Sequence, residues 1–259
     1  MVFKRLLNSL GVGGPSVDTV LSSGAVTPGM PLTGQVHVRG GSMDAEITHL
    51  TLHFVARVEA EHEEGESQGQ VVFHRETIGG GFRLQEGQQF SVPFSVGVPW
   101  ETPITELYGQ PLGIVLGVKT ELAVAGAVDT GDLDPLLVRP MPVQEAVLEA
   151  FGQAGFGFKS ADLELGRIGG TGQQLPFYQE IELIPSPRWS GAMREVELTF
   201  LASPAGVEVV LEADKRGGFF TGGGDALLRF TLGHHQIPGY DWNAQVESWI
   251  GQLAARRGH

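Results

Sequence analysis

The feature that most constrains this fold is a regular alternation of apolar and polar side chains over many short stretches. In residues 50–59, LTLHFVARVE, apolar side chains stand at Leu50, Leu52, Phe54, Ala56 and Val58. The same pattern recurs in residues 32–39, 90–98 and 114–124. A period of two is typical of half-buried strands. Many such runs, separated by Gly and Pro, predict an all-β, antiparallel β-sandwich protein.

The alternation stops after residue 128 and returns beyond residue 162. The intervening stretch at 129–142, DTGDLDPLLVRPMP, is rich in Pro and Asp and is followed by VQEAVLEAFGQAG, which has the spacing of a short helix. A chain of 259 residues has room for two domains. We therefore predict β-sandwich domains at residues 1–133 and 134–236, joined by the Pro-rich stretch, and a helical extension at 237–259.

Both ends of the chain have apolar residues at helical spacing, which predicts short amphipathic helices at the termini. Asp241 is the expected N-cap of the C-terminal helix. Each helix can pack on its own domain, or it can present its apolar face to a partner, since aromatic anchors are common in interfaces. A glycine-rich loop at 217–224 adds two further aromatic residues. The candidate partner-binding residues are Phe3, Leu6, Leu7, Leu10, Phe219, Phe220, Trp242, Trp249 and Leu253.

Charge and composition exclude several classes of partner. The net charge is −13, with 30 acidic against 17 basic residues, which argues against nucleic acid or an anionic membrane. The absence of cysteine excludes disulfides and thiolate chemistry and fits a reducing compartment. No run of about 20 apolar residues predicts a membrane span.

Motifs for catalysis or cofactor binding are not found. The glycine-rich stretch at 217–224 has Lys215 and Arg216 before its glycines, whereas a phosphate-binding loop needs a lysine after them. No G-x-S-x-G elbow is present. The glutamate-rich run at 59–70, EAEHEEGESQGQ, lacks the ligand ladder of a calcium loop and is expected to be a solvated hairpin tip. The sequence predicts no enzyme activity, no catalytic residue, no cofactor and no metal.

Several segments together resemble known families. Residues 16–59, with VTPGMPLTGQV followed by LTLHF, resemble the first strands of arrestin-like proteins, and FSVPFSVGVPWETPIT at 90–105 resembles another strand of that fold. The start MVFKRLLNSLGVGG, the junction GDLDPLLVRPMP and the stretch VVLEADKRGGFF resemble the bacterial sporulation-control protein family of the stage-zero sporulation M type.

This resemblance implies two tandem arrestin-like β-sandwich domains in a cytoplasmic regulator or adaptor without enzyme activity. Such a protein would control sporulation, or a related developmental programme, through protein–protein interaction. The alternative is a small-ligand or metal-binding β module, with a site in the interdomain groove or in the acidic loop 59–66. The identity of the partner, a homo-oligomeric state and mobility between the domains stay open.

Overall fold

The computed structural model describes residues 13–62, 65–213, 227–234 and 239–256, without the side chains of 60–62, 65–67 and 256. Within these ranges the chain forms fifteen strands and two α-helices. The strands are β1 (Ser16–Leu21), β2 (Pro31–Arg39), β3 (Ala45–His62), β4 (Gly65–Gly79), β5 (Phe82–Leu84), β6 (Gln89–Gly97), β7 (Glu106–Leu107), β8 (Gln110–Pro111), β9 (Leu116–Val124), β10 (Thr130–Pro135), β11 (Gly157–Leu165), β12 (Phe177–Ile184), β13 (Val196–Ser203), β14 (Gly206–Ala213) and β15 (Leu228–Leu232). The helices are α1 (Pro142–Gln153) and α2 (Trp242–Arg256). Neither helix combines the length and apolar character needed to span a bilayer within these described ranges.

The strands form one small and one large sheet, with β7 and β8 as a separate hairpin. The small sheet has the antiparallel order β1–β2–β6. The large sheet has the order β10–β9–β3–β11–β12–β13–β14–β15, with β4 and β5 also paired to β3. All the pairings are antiparallel except the one between β3 and β11. The predicted class, a mainly antiparallel β protein, is confirmed.

The 18-residue strand β3 connects the two halves of the chain. Along one edge it pairs with β4 as far as His62 and Gly65. Along the other edge it pairs first with β9, up to Ala56 and Leu116, and then with β11 through Glu59 and Glu164. The single strand β3 is therefore paired with strands from the N-terminal half and with a strand from the C-terminal half, so that both halves share one sheet.

The alternation that predicted the strands also places the core. In β3, every second side chain from Leu50 to Val58 is apolar, and each of these side chains is at most 2% exposed. These side chains belong to one apolar cluster that extends into the C-terminal half. The edge-to-face contact between Phe73 on β4 and Phe177 on β12, with ring centroids 5.6 Å apart, crosses between the halves.

The Pro-rich stretch at 129–142 contains a strand that the sequence analysis did not predict. Residues 130–135 form β10, an edge strand paired with β9. Pro135 is the last residue of that edge strand, a position where a missing N–H is tolerated. Asp132 Oδ2 accepts a hydrogen bond from the backbone N–H of Thr19 at 3.0 Å. Asp132 thus satisfies a backbone donor of β1. The division into domains at 1–133, 134–236 and 237–259 stays a prediction.

The helix predicted after this stretch is confirmed as α1. Pro142 opens it, where its missing N–H costs nothing, and Gln144 Oε1 accepts the Met141 backbone N–H at 2.8 Å. Its buried face, with Val143, Val147 and Phe151, packs into the common core.

The C-terminal helix α2 packs on its own chain, which was one of the two readings of its sequence. Asp241 is its N-cap, as predicted, since Asp241 Oδ1 accepts the Ala244 N–H at 3.0 Å. The Trp249 indole stacks on Phe230 of β15 with centroids 4.4 Å apart and is 1% exposed. Leu253 is fully buried, whereas Trp242 is half-buried. Trp249 and Leu253 are therefore core residues and, while the helix is docked, present no surface to a partner.

Polar side chains also hold the two halves together. The Gln179 amide on β12 donates to the Ile104 carbonyl and accepts from the Ile104 N–H, both at 2.9 Å and both buried. The Glu101 carboxylate accepts the backbone N–H groups of Gln174 and Leu175 at 2.8–2.9 Å. Burial raises the pKa of Glu101, and these two backbone hydrogen bonds oppose that rise. The segment after β6 is therefore fixed to the loop before β12.

Replacing Trp249 with Ala should destabilise the protein by about 3–5 kcal/mol, because the stacked indole leaves a large cavity. Urea unfolding followed by circular dichroism measures the loss. Ser248→Ala, at the exposed neighbouring position, is the matched control and should change the unfolding free energy by less than about 0.5 kcal/mol. A loss below about 1 kcal/mol for Trp249→Ala would show that α2 is not part of the core.

Gln179→Leu should destabilise the protein because it leaves the N–H and the C=O of Ile104 buried without partners. Each unpaired group costs about 1–3 kcal/mol. The same unfolding measurement on Gln35→Leu, at an exposed position of β2, controls for the change of side chain. Equal stability of the two variants would contradict a structural role for the Gln179 amide.

Candidate interaction surface

The clearest candidate surface is an apolar groove between α1, the β7–β8 hairpin and the start of β11. It encloses about 510 Å3, within the range of roughly 300–1,000 Å3 that is usual for binding pockets. We call it the Tyr108 groove. Its apolar lining consists of Leu107, Tyr108, Leu148, Phe151, Phe156, Phe158 and Leu183.

Tyr108 is held over this groove by a strained turn. It is the first of two residues between β7 and β8, with φ 51°, and Gly109 follows with φ 75°. Positive φ at both loop residues is the geometry of a tight hairpin turn that normally takes Asn or Gly. Tyrosine in this conformation costs of the order of 1–2 kcal/mol, and its side chain is 61% exposed. An exposed aromatic kept at such a position suggests a role other than stability.

The opposite side of the groove is made by the first residues of β11. Phe158 is the register partner of Leu183, so its ring lies on the face of the sheet that carries the core. At this end of the strand the core stops, and Phe158 is 46% exposed. Phe151 and Phe156 form the wall, edge to face with centroids 5.5 Å apart.

The edge of β11 beside the groove is open over its first residues. β12 pairs with one edge of β11 from Gly157 onward. On the other edge, the described part of the chain has a strand partner only at Glu164. An open strand edge next to an apolar groove offers both backbone hydrogen bonds and side-chain pockets to an extended peptide.

The charge next to the groove is negative. Glu149 on α1 lines it, and Glu145 lies one helical turn earlier. Partial burial raises the pKa of the Tyr108 hydroxyl, and the negative charges of Glu149 and Glu145 raise it further. The phenol therefore stays neutral and can donate a hydrogen bond. Lys159, the nearby cation on β11, forms ion pairs with two carboxylates: its Nζ lies 2.5 Å from Glu182 Oε2 and 2.6 Å from Glu195 Oε2.

A second unusual region is a row of carboxylates on one face of the C-terminal sheet. Asp162 on β11 is the register partner of Glu180 on β12, and Glu197 on β13 pairs with Glu182 and Glu212. Glu180 is 8% exposed, and its Oε1 has no hydrogen-bond partner among the described residues.

Burial controls the protonation of these carboxylates. Desolvation, followed by repulsion from Glu197, raises the pKa of Glu180 to about 10. Desolvation and the charge of Glu212 raise the pKa of Glu197 to about 8. Both groups are therefore protonated at neutral pH, and a protonated carboxyl is a poor metal ligand. No group of three or more His, Asp or Glu in the described residues has the geometry to hold a metal ion.

The candidate residues predicted from the sequence have different outcomes. Phe3, Leu6, Leu7, Leu10, Phe219 and Phe220 lie outside the described residues. The same holds for most side chains of the acidic loop 59–66, although its backbone continues the β3–β4 hairpin at both Glu61 and Glu66. Trp249 and Leu253 are buried. Trp242 is half-buried, and its ring centroid lies 4.7 Å from that of Tyr240.

The sequence analysis missed the Tyr108 groove. Its members come from three separate segments, so no spacing in the sequence connects them. One signal was present: LYGQ at 107–110 has a bulky aromatic directly before a glycine in a hairpin loop. Phe158 gave no signal, since an aromatic in a strand normally indicates burial.

Comparison with known proteins gives consistent matches over most of the chain. The family model described as SpoOM protein matches residues 3–217. The sporulation-control protein spo0M of Bacillus subtilis (strain 168) is 34% identical over 215 residues, which cover 83% of this chain and 81% of that protein. The crystal structure of Spo0M, sporulation control protein, from Bacillus subtilis superposes with a TM-score of 0.83 at 29% identity, over 93% of this chain and 100% of that one.

The raised pKa of Glu180 predicts that stability falls as pH rises. Between pH 4.5 and about 10 the folded state keeps a proton that the unfolded state releases, so each step up in pH favours unfolding. Glu180→Gln removes this proton linkage. It should be more stable than the parent protein at pH 8, by a margin that grows by roughly 1 kcal/mol per pH unit from pH 5 to 9.

Urea unfolding at a series of pH values measures this margin, with Glu86→Gln, on the exposed surface, as the matched control. Parallel curves for the parent protein and Glu180→Gln would show that Glu180 is ionised in the folded state.

Proposed function

This chain belongs to the Spo0M sporulation-control protein family, and on that premise we propose that it regulates sporulation or a related developmental programme by binding another protein. The proposed contact surface is the Tyr108 groove. We further propose that the chain acts in the cytoplasm as an adaptor without enzyme activity, built as two tandem arrestin-like sandwiches.

The observation that carries this proposal is the conformation of Tyr108. A large aromatic side chain is 61% exposed and stands in a left-handed turn position that glycine would occupy without strain. Both the exposure and the strain are unfavourable for the isolated chain. A partner that buries the ring would offset them, and tyrosine is among the residues that most often dominate the energy of protein interfaces.

The chemistry of the groove also favours binding over catalysis. An active site needs polar groups that converge on a reacting atom. The Tyr108 groove has instead an aromatic and aliphatic lining. Within the described part of the chain, Glu149 and Gln153 are its only polar side chains besides the Tyr108 hydroxyl. Exposed aromatics around an apolar depression are what a peptide with hydrophobic anchors requires.

The groove specifies the kind of segment it would take. The apolar lining suits leucine or aromatic anchors, and the open edge of β11 suits an extended backbone. Glu145 and Glu149 beside the groove favour a flanking Lys or Arg over an acidic residue. We therefore propose a partner segment that has hydrophobic anchors and a basic flank.

Tyr108→Gly separates this role from a role in stability. Glycine relieves the left-handed backbone, so the unfolding free energy should stay within about 1 kcal/mol of the parent value or rise. Partner binding should fall at least about tenfold, as is usual when an interface tyrosine is truncated. Quantitative affinity purification from native cells, with the partner identified by cross-linking through a photoreactive residue at position 158, measures the binding.

Met43→Gly is the matched control, because Met43 is 76% exposed, is apolar and lies far from the groove in sequence. It should leave partner recovery unchanged. Undiminished partner recovery with Tyr108→Gly, in a protein that stays folded, would contradict the groove as the contact surface. Loss of the partner together with a large loss of stability would contradict the separation of the two roles.

A further inference from the structure

A second pocket lies on the N-terminal half of the large sheet, where β4, β3, β9 and β10 lie side by side. It encloses about 330 Å3, at the lower end of the range of roughly 300–1,000 Å3 for ligand pockets. We call it the Arg57 pocket. The residues that form it include Val55, Arg57, Gln70, Gly117, Leu133 and Pro135.

The floor of this pocket is apolar and depends on a glycine. Gly117 is the register partner of Val55 on β3 and of Pro135 on β10. A Cβ atom at Gly117 would lie 2.9 Å from Leu133 Cδ1 and 3.3 Å from Val55 Cγ2. A Cβ atom at this distance would clash with Leu133, so glycine is required for Leu133 and Val55 to pack this closely. Together with Pro135, these side chains form the apolar floor of the pocket.

One cation stands at this pocket without a carboxylate partner in the described ranges. Arg57 is exposed, and no carboxylate of the described residues is within ion-pair distance of it. Glu59, two residues further along β3, instead accepts a hydrogen bond from Gln68 Nε2 at 2.8 Å. The remaining polar side chains of the lining are the amides of Gln68 and Gln70, and none of the described lining residues carries a negative charge.

Among the described surface arginines, Arg57, Arg39 and Arg75 form no ion pair with a described carboxylate, and only Arg57 of these three lines the pocket. Arg83, Arg139, Arg188 and Arg229 each form an ion pair with an Asp or Glu. At Arg57 a guanidinium that no described carboxylate pairs stands beside an apolar pocket whose described lining carries no negative charge. The guanidinium has a planar donor geometry that matches a carboxylate.

We propose that the Arg57 pocket binds a small amphipathic carboxylate, a medium-chain fatty acid of about six to ten carbons, with its carboxylate on Arg57 and its hydrocarbon tail on the Val55–Gly117 floor. The apolar lining fits the tail, and the small volume excludes large ligands. The amide of Gln70 offers a further hydrogen bond to the head group. This ligand site is separate from the Tyr108 groove and does not depend on the proposed protein partner.

Isothermal titration calorimetry of the full chain tests the proposal with hexanoate, octanoate and decanoate below their micelle concentrations. Each methylene that enters the pocket should strengthen binding roughly fourfold, from about 0.8 kcal/mol per buried CH2, until the pocket is full. Octanol has the same tail without the charge. It should bind at least about tenfold more weakly than octanoate, as expected when a charge-assisted hydrogen bond is lost.

Two variants locate the site. Arg57→Gln should weaken octanoate binding by about tenfold and leave octanol binding unchanged. Arg75→Gln, the matched control, removes an exposed arginine of β4 outside the pocket and should leave octanoate binding unchanged. Leu133→Trp should fill the pocket and abolish binding of both ligands.

Four results would overturn the proposal. The first is no binding of any of the carboxylates by the parent protein. The second is equal affinity for octanol and octanoate, and the third is an equal effect of Arg57→Gln and Arg75→Gln. Binding of a leucine-ended peptide more tightly than octanoate would also overturn it, since the pocket would then be a peptide site.

Discussion

The pairing of β3 with strands of both halves is the constraint on which the rest of the structure depends. Along one edge, its 18 residues pair first with β9 and then with β11, and along the other edge they pair with β4. Hydrogen bonds and the alternating core face therefore continue from the N-terminal strands into the C-terminal ones. The Gln179–Ile104 pair, the Glu101 carboxylate and the Phe73–Phe177 contact add to this connection. Both surfaces with a proposed role lie beside strands that β3 positions.

These two surfaces differ in how the chain forms them. The Tyr108 groove results from a place where the core face of β11 and β12 reaches the end of the sheet, so that Phe158 is left 46% exposed. The Arg57 pocket lies on the face of the large sheet, where Val55, Leu133 and Pro135 form an apolar floor beside Arg57. One surface therefore suits a protein segment and the other a small molecule, and the two can act independently.

Local patterns in the sequence predicted the β class, the helix α1, the Asp241 cap and the family, and these are confirmed. Each of these features depends on residues that are close together in the chain. The strand β10 within the Pro-rich stretch was missed, because the stretch has no alternating pattern and an edge strand tolerates Pro135 at its end. The burial of Trp249 could not be separated from an interface role, since an amphipathic helix has the same pattern in both cases. The groove combines the β7–β8 hairpin with α1, β11 and β12, and the pocket combines β3 and β4 with β9 and β10. These segments are distant in the sequence, so no local pattern connects them.

Differential scanning calorimetry of the full chain tests most directly whether β3 makes the two halves one unit. The structure predicts a single transition in which the calorimetric enthalpy equals the van't Hoff enthalpy, since neither half can unfold without breaking the shared sheet and core. Two resolved transitions, or a van't Hoff enthalpy near half the calorimetric value, would show that the halves unfold independently. That result would contradict the central role of β3 in joining them.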